Sequence, residues 1–254
     1  MLKIPALTLF FICVHRTFSL TDGGADIKIL NSNATWLIND PLSFHGGNEK
    51  GVMQDVRNDR ESMKKFVKLT DEALIRTEGH SDGEVVDAIE HYFWGMKNGT
   101  AIELGALDGS WNTHSMTFDY ERSLNWRRIL VEGNPSYKTD LIRHSPLALS
   151  VNAAICSTPS TLHYSQSKYV GGIVEFMSQD FMKGTHRDIY DLCVPPGNLT
   201  SLDFSRIPHM VTPVECIPMS HVLQVAKVKH VNYFILDVEV SISQSIRKAE
   251  FSAA

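Results

Sequence analysis

Between Ala101 and Ile155 short apolar runs alternate with stretches of mixed polarity, and this alternation constrains the fold of the 254-residue chain more than any other feature. Ala101 to Ala106, Arg128 to Glu132 and Leu147 to Ile155 read as strands, each short, mainly apolar and bounded by turn residues. Thr117 to Asn125 and Ser136 to His144 read as the helices between them. Parallel neighbours can be joined only by a crossover, so a βαβαβ order predicts a parallel sheet covered by helices. It also predicts a ligand site at the carboxyl ends of the strands. Ser220 to Lys229 reads as a further helix. Val231 to Val238 is apolar almost throughout, as a strand buried on both faces must be.

The first strand runs into Glu103-Leu104-Gly105-Ala106-Leu107-Asp108-Gly109-Ser110, an acidic residue followed by glycines four apart. Glycines at a strand-to-helix turn let the backbone approach a nucleotide closely. The Gly-x-Gly-x-x-Gly spacing of a dinucleotide site is not met, because position 107 is Leu. Glu132 stands 23 residues after Gly109, at the end of the second strand, where an acceptor reaches paired ribose hydroxyls. Asn134-Pro135 then begins the next helix. His114, just behind the glycine turn, is a candidate general base, since imidazole titrates near neutral pH.

Around this unit the sequence predicts less order. Residues 20 to about 52 are rich in turn residues and read as a loose arm that contributes little to the core. A charged helix spans Asp55 to Arg76, so residues 20–83 form an arm and helix ahead of the main domain. Ser81-Asp82-Gly83-Glu84 reads as a capping box, followed by the helical stripe Val85, Val86, Ile89, Phe93 and Trp94, which suits packing on a sheet. Residues 157–216 break the alternation with Gly171-Gly172, Gly184 and Pro195-Pro196, and read as an insertion or lid.

Lys3 followed by the apolar run Ile4 to Val14 has the anatomy of a secretory leader, residues 1–19, and is too short to span a bilayer as a helix. No stable membrane span is expected once it is removed. Asn33-Ala34-Thr35, Asn98-Gly99-Thr100 and Asn198-Leu199-Thr200 are acceptor sequons, each of which needs a surface position. Loss of Cys13 with the leader leaves Cys156, Cys193 and Cys216, enough for one intramolecular disulfide. Cys193 with Cys216 is the favoured pair, since both flank an irregular segment, and free thiols are the alternative. A formal charge of -5 argues against a nucleic-acid partner.

Taken together, these motifs resemble the FkbM-like branch of class I S-adenosylmethionine-dependent methyltransferases. The matching residues are Glu103 to Gly109, Ser123 to Trp126, Leu130 to Pro135, Val151 to Cys156, Gly171-Gly172, Cys216 to Ser220 and Leu236 to Glu239, in the family's order across roughly residues 84–239. The resemblance implies an α/β, Rossmann-like class I methyltransferase sheet with parallel strands and helices on both faces. It implies S-adenosylmethionine as cofactor, its methionine end held by Glu103, Gly105 and Gly109, its ribose by Glu132 and its adenine by Asn152 with Ala153. Asp108 and Asn134 belong to the same cofactor-binding set. Methyl transfer to a hydroxyl is chiefly a positioning problem that also needs a base, and requires no metal. Asp237, Glu239 and His114 are the candidate catalytic bases, in that order.

After the fourth strand the family continues Asp-Val-Glu-Gly-Ala-Glu and supplies a helix and three more strands. Here Val240 follows Glu239, and residues 240–254 form a short, divergent tail. The expectation is a sheet incomplete after its fourth strand, with Tyr233 to Val238 as an open apolar edge able to self-associate. Two functions follow. One is an O-methyltransferase of the secretory pathway, acting on a sugar or other small-molecule hydroxyl. The other is a catalytically inactive Rossmann-like binding or adaptor protein, or a truncated isoform of such an enzyme.

Overall fold

The computed structural model describes residues 35–41, 44, 52–53, 88, 92–93, 96–110, 115–166, 170–228 and 230–237. Chain order gives β1 (Leu37–Asn39), β2 (Val52–Met53), β3 (Met96–Lys97), β4 (Thr100–Leu104), α1 (Phe118–Leu124), β5 (Arg127–Glu132), α2 (Lys138–His144), β6 (Leu149–Asn152) and β7 (Ala154–Ile155). It continues with β8 (Ser160–Ser165), β9 (Gly172–Ile173), α3 (Gln179–Thr185), α4 (Arg187–Leu192), β10 (Val211–Ile217), α5 (Met219–Ala226) and β11 (Tyr233–Leu236).

Five strands lie in the order β1-β6-β5-β4-β11, of which the last four are parallel. The four strands expected from the sequence thus stand third, second, first, fourth across the sheet. Alternate residues supply two layers. Ile102, Leu104, Ile129, Val131, Leu149, Val151 and Phe234 pack with Met219, Val222, Leu223 and Ala226 of α5. On the other face Ala101, Tyr233 and Ile235 meet Phe93, Trp126 and, from α1, Tyr120 and Leu124. Leu130 on that face meets Leu141 of α2 together with Ala106 and Ala148. Helices therefore cover both faces, and the chain is mixed α/β, compatible with a Rossmann-like fold.

The arm is more than a loose leader to this sheet. β1 pairs antiparallel with β6, and Asn39 donates to the carbonyls of Ala148 at 2.8 Å and Pro146 at 3.2 Å. Trp36 and Phe44 are buried in the layer beneath α5. The expectation that residues 20–52 add little to the core is corrected on this point. Two bulky aromatics outweigh turn-rich composition, because burial of each removes a large apolar area from water.

Among the described residues of 157–216 stand strands and helices of their own. These residues carry most of a second sheet, ordered β7-β10-β8-β9, with β8 antiparallel to β9 and β10 and only β7 parallel to β10. β10 holds Pro213, a residue that argues against a central strand. The strand tolerates it because β7 reaches only Cys216 and Ile217, leaving the proline where β8 is its one described partner. A Cβ placed on Gly133 would lie 3.7 Å from Tyr164 and from Ile173, so the second sheet stands beside the loop that follows β5.

The disulfide joins Cys156 to Cys216, whose Cα atoms are 5.8 Å apart, and Cys193 is a buried free thiol. The expected Cys193–Cys216 pair is therefore corrected. Cys156 follows β7 and Cys216 is the penultimate residue of β10, two strands in register, whereas Cys193 lies at the end of α4. The bridge closes a separation of 60 residues, which in the chain-entropy account stabilises the fold by about 4 kcal/mol.

Candidate functional site at the strand ends

The carboxyl ends of β4, β5, β6 and β11 bring Gly105, Glu132, Asn152 and Asp237 together, since the register pairs Leu236 with Leu104, Leu104 with Val131 and Glu132 with Asn152. Glu132 is 3% exposed. Its Oε1 accepts from the backbone N–H of Asn134 at 2.6 Å and its Oε2 from that of Leu107 at 2.8 Å. One carboxylate thus ties the turn after β4 to the loop after β5. Burial pushes its pKa up to about 7, opposed by those two hydrogen bonds and assisted by the charges of Asp237 and Glu103. When ionised a carboxylate offers about four lone-pair sites, and these two bonds occupy two of them.

Asn152 donates through Nδ2 to the carbonyl oxygens of Glu132 at 2.8 Å and Asn134 at 3.1 Å, and so shapes the loop around the carboxylate. Asn134 in turn accepts from the N–H and hydroxyl of Ser136, starting the short 3-10 turn Pro135–Tyr137 that leads into α2. Ala153 is buried between β6 and β7 in the core layer under α5. Asp237 is partly exposed, and its N–H donates to the carbonyl of Leu104 at 3.0 Å. Gly105 has φ +85°, and a Cβ there would lie 1.8 Å from the Asp237 carbonyl oxygen. Glycine is thus required at position 105 by the approach of Asp237's backbone.

Glu103 is also a carboxylate committed within the protein. It accepts from the Ser115 hydroxyl at 2.8 Å, the Met116 N–H at 2.9 Å, and the N–H and hydroxyl of Thr117. These donors lie just ahead of α1, so Glu103 fixes where that helix starts. Burial raises its pKa, and the hydrogen bonds and the charge of Arg128 work against that rise.

Asp108 and Gly109 keep different company. Gly109 has φ +67°, and a Cβ on it would meet Ser145 at 2.5 Å and Leu130 at 2.8 Å. Its carbonyl accepts from Arg128 Nη1 at 3.2 Å and Ser145 Oγ at 3.0 Å. Asp108 accepts from the Ser110 N–H at 2.8 Å and pairs with His144 Nδ1 at 3.1 Å. Arg128 lies four residues before Glu132 on β5, about 13 Å back along the strand. The glycine turn therefore divides, Gly105 staying at the strand ends and Gly109 descending under α2.

Arg128, absent from the residues nominated by sequence, is the centre of this second group. It is 1% exposed and bonds Glu121, the Gly109 carbonyl, and the hydroxyls of Ser115 and Ser145 at 3.1 Å each. The signal was a guanidinium inside an apolar strand, where a charge demands partners. His114 and Glu239 lie outside the described residues, as do the leader and Asn33 and Ala34 of the first sequon, whose Thr35 donates to Glu215 Oε2 at 2.6 Å.

No family model, curated protein or solved structure matches the chain. No helix among the described residues is long and apolar enough to cross a membrane.

Proposed function

We propose that the chain is an S-adenosylmethionine-dependent O-methyltransferase of the FkbM-like kind, acting on a hydroxyl of a sugar or other small molecule in the secretory pathway. The observation that carries the reading is Glu132, a buried carboxylate at the end of the second parallel strand, brought beside Gly105, Asn152 and Asp237 by the strand register. The strand order, the turn at Gly105 and the motifs in the sequence support it. In this reading Glu132 accepts from the ribose hydroxyls, and Asn152 and Asn134 hold the loop against which the adenine lies. Asp237 takes the acceptor's proton, with Glu239 and His114 as the further nominated bases. When bound, the cofactor supplies an electrophilic methyl group on a sulfonium. The Cys156–Cys216 bridge supports an oxidising compartment.

A second reading, a non-catalytic binding or adaptor protein, is favoured by one observation. Glu103 and Glu132 both serve the protein's own backbone, so each is explained without any ligand. Isothermal calorimetry with S-adenosylmethionine tests the proposal. The Glu132→Ala variant should bind more weakly by roughly 1.5 to 3 kcal/mol, the scale of a charged hydrogen bond. Absence of binding by the wild-type chain overturns the cofactor reading. Binding without methyl transfer to a panel of sugars and alcohols leaves the adaptor.

A further inference from the structure

The second sheet's helical flank carries a feature the strand-end site does not use. α4 ends in an exposed apolar corner, where Leu192 is 48% and Val194 76% exposed and Pro195 and Pro196 are exposed beside them. Four residues beyond Val194 stands Asn198, the first residue of the sequon Asn198-Leu199-Thr200.

Corner and sequon are one hydrogen-bonded unit. The Asn198 N–H donates to the Pro195 carbonyl at 3.0 Å. The Val194 N–H donates to Ser201 Oγ at 2.7 Å, and Ser201 Oγ donates to the Asn198 carbonyl at 2.7 Å. Thr200 is exposed, and its hydroxyl donates to Asn198 Oδ1 at 2.7 Å. The Asn198 amide nitrogen donates to no described residue. The sequon at Asn98 is built differently. Thr100 is 1% exposed at the start of β4, its hydroxyl accepting from Arg127 Nη2 at 3.0 Å, and Asn98 Oδ1 accepts from Asn125 at 2.7 Å.

We propose that Asn198 is a site of N-linked glycosylation and that its glycan covers the apolar corner formed by Leu192, Val194 and the two prolines. The inference rests on the secretory location given under the proposed function, and is independent of methyl transfer. In the modification Asn198 Nδ2 attacks the anomeric carbon of a lipid-pyrophosphate-linked oligosaccharide. The Nδ2–C1 bond forms as the C1–O bond to the pyrophosphate breaks, Nδ2 gives up one proton, and the lipid pyrophosphate leaves with the bonding electrons. The apolar faces of the first sugar rings then lie over side chains that would otherwise meet water as a contiguous patch.

The test expresses the full chain in a glycosylating eukaryotic cell. Glycosidase release in heavy-oxygen water marks each occupied asparagine, and peptide mass spectrometry should find Asn198 among them. Asn198→Gln and Thr200→Ala should each lose the mass of one glycan, and both should bind more of an apolar fluorescent dye than the wild type. Adding Leu192→Ser and Val194→Ser should bring that binding back down. A glycan on Asn33 or Asn98 with Asn198 bare overturns the site and leaves the secretory reading intact. Sugar on no sequon, with Cys156 and Cys216 reduced, overturns both. Unchanged dye binding in the two sequon variants overturns the shielding.

Discussion

The two faces of the five-stranded sheet are made from alternate residues of the same strands, yet they are held in different ways. Under α5 the contacts are between apolar side chains, Ile102, Ile129, Val131, Leu149 and Val151 against Met219, Val222 and Leu223. The opposite face has apolar packing of its own at Ala101, Leu130, Tyr233 and Ile235, but beside it the same strands present Glu103, Arg128, Glu132 and Asn152, all tied into hydrogen bonds with the loops that follow the strands. Apolar packing is non-directional and answers chiefly to volume. A buried charge answers to the loss of a single partner, because the group left behind has no water to turn to. One sheet thus has a face held by apolar packing alone and a face where apolar packing is joined by buried polar groups that fix where loops lie.

The contrast is tested most strongly at adjacent residues of β5. Arg128→Ala removes the guanidinium shared by Glu121, Gly109, Ser115 and Ser145, and should lower stability by about 3–5 kcal/mol in chemical denaturation. A loss below about 1 kcal/mol would show that the loops hold without it.

The next effect is a pH dependence confined to the polar face. The folded pKa of Glu132 is raised to about 7 by burial, so the folded state binds its proton more tightly than the unfolded chain does. Its contribution is fully present below about pH 4.5 and is lost as pH rises through about 7, a change on the order of 3 kcal/mol. Glu103, also raised, acts in the same direction. In Glu132→Gln the decline of stability between those pH values should flatten. An identical slope in wild type and variant removes Glu132 as its source.

The smallest effect belongs to the face under α5. Ile129→Val, one residue from Arg128, should cost only about 0.5–1.5 kcal/mol, with no dependence on pH. A loss as large as that of Arg128→Ala would erase the distinction between the faces.

The parallel core was legible because its strands are short apolar runs and its helices fill the spaces between them. Expected boundaries lie close to β4, β5, α1 and β11, although the run Leu147 to Ile155 divides at Ala153 into β6 and β7, which join different sheets. The second sheet was hidden by Pro213 and by glycines that read as loop. Those residues mark only local preference, and β10 forms because β8 pairs along most of its length. β1 and the burial of Trp36 and Phe44 were equally invisible, since an edge strand of three residues exists only where a partner waits.

At the candidate site, the sequence by itself determined which chemical groups are present at three strand ends: Gly105 after the first, Glu132 at the second and Asp237 toward the end of the fourth. Period-two alternation and strand order are local and topological rules, and they carry that far. Only the tertiary structure decided what each group touches. It turned Glu103 toward the start of α1, Glu132 onto the N–H groups of Leu107 and Asn134, and Gly109 down to Arg128, and it joined Cys216 to Cys156 rather than Cys193. These partners are far apart in the chain, and the geometry of a hydrogen bond or a disulfide is satisfied in space, where no spacing along the sequence can express it.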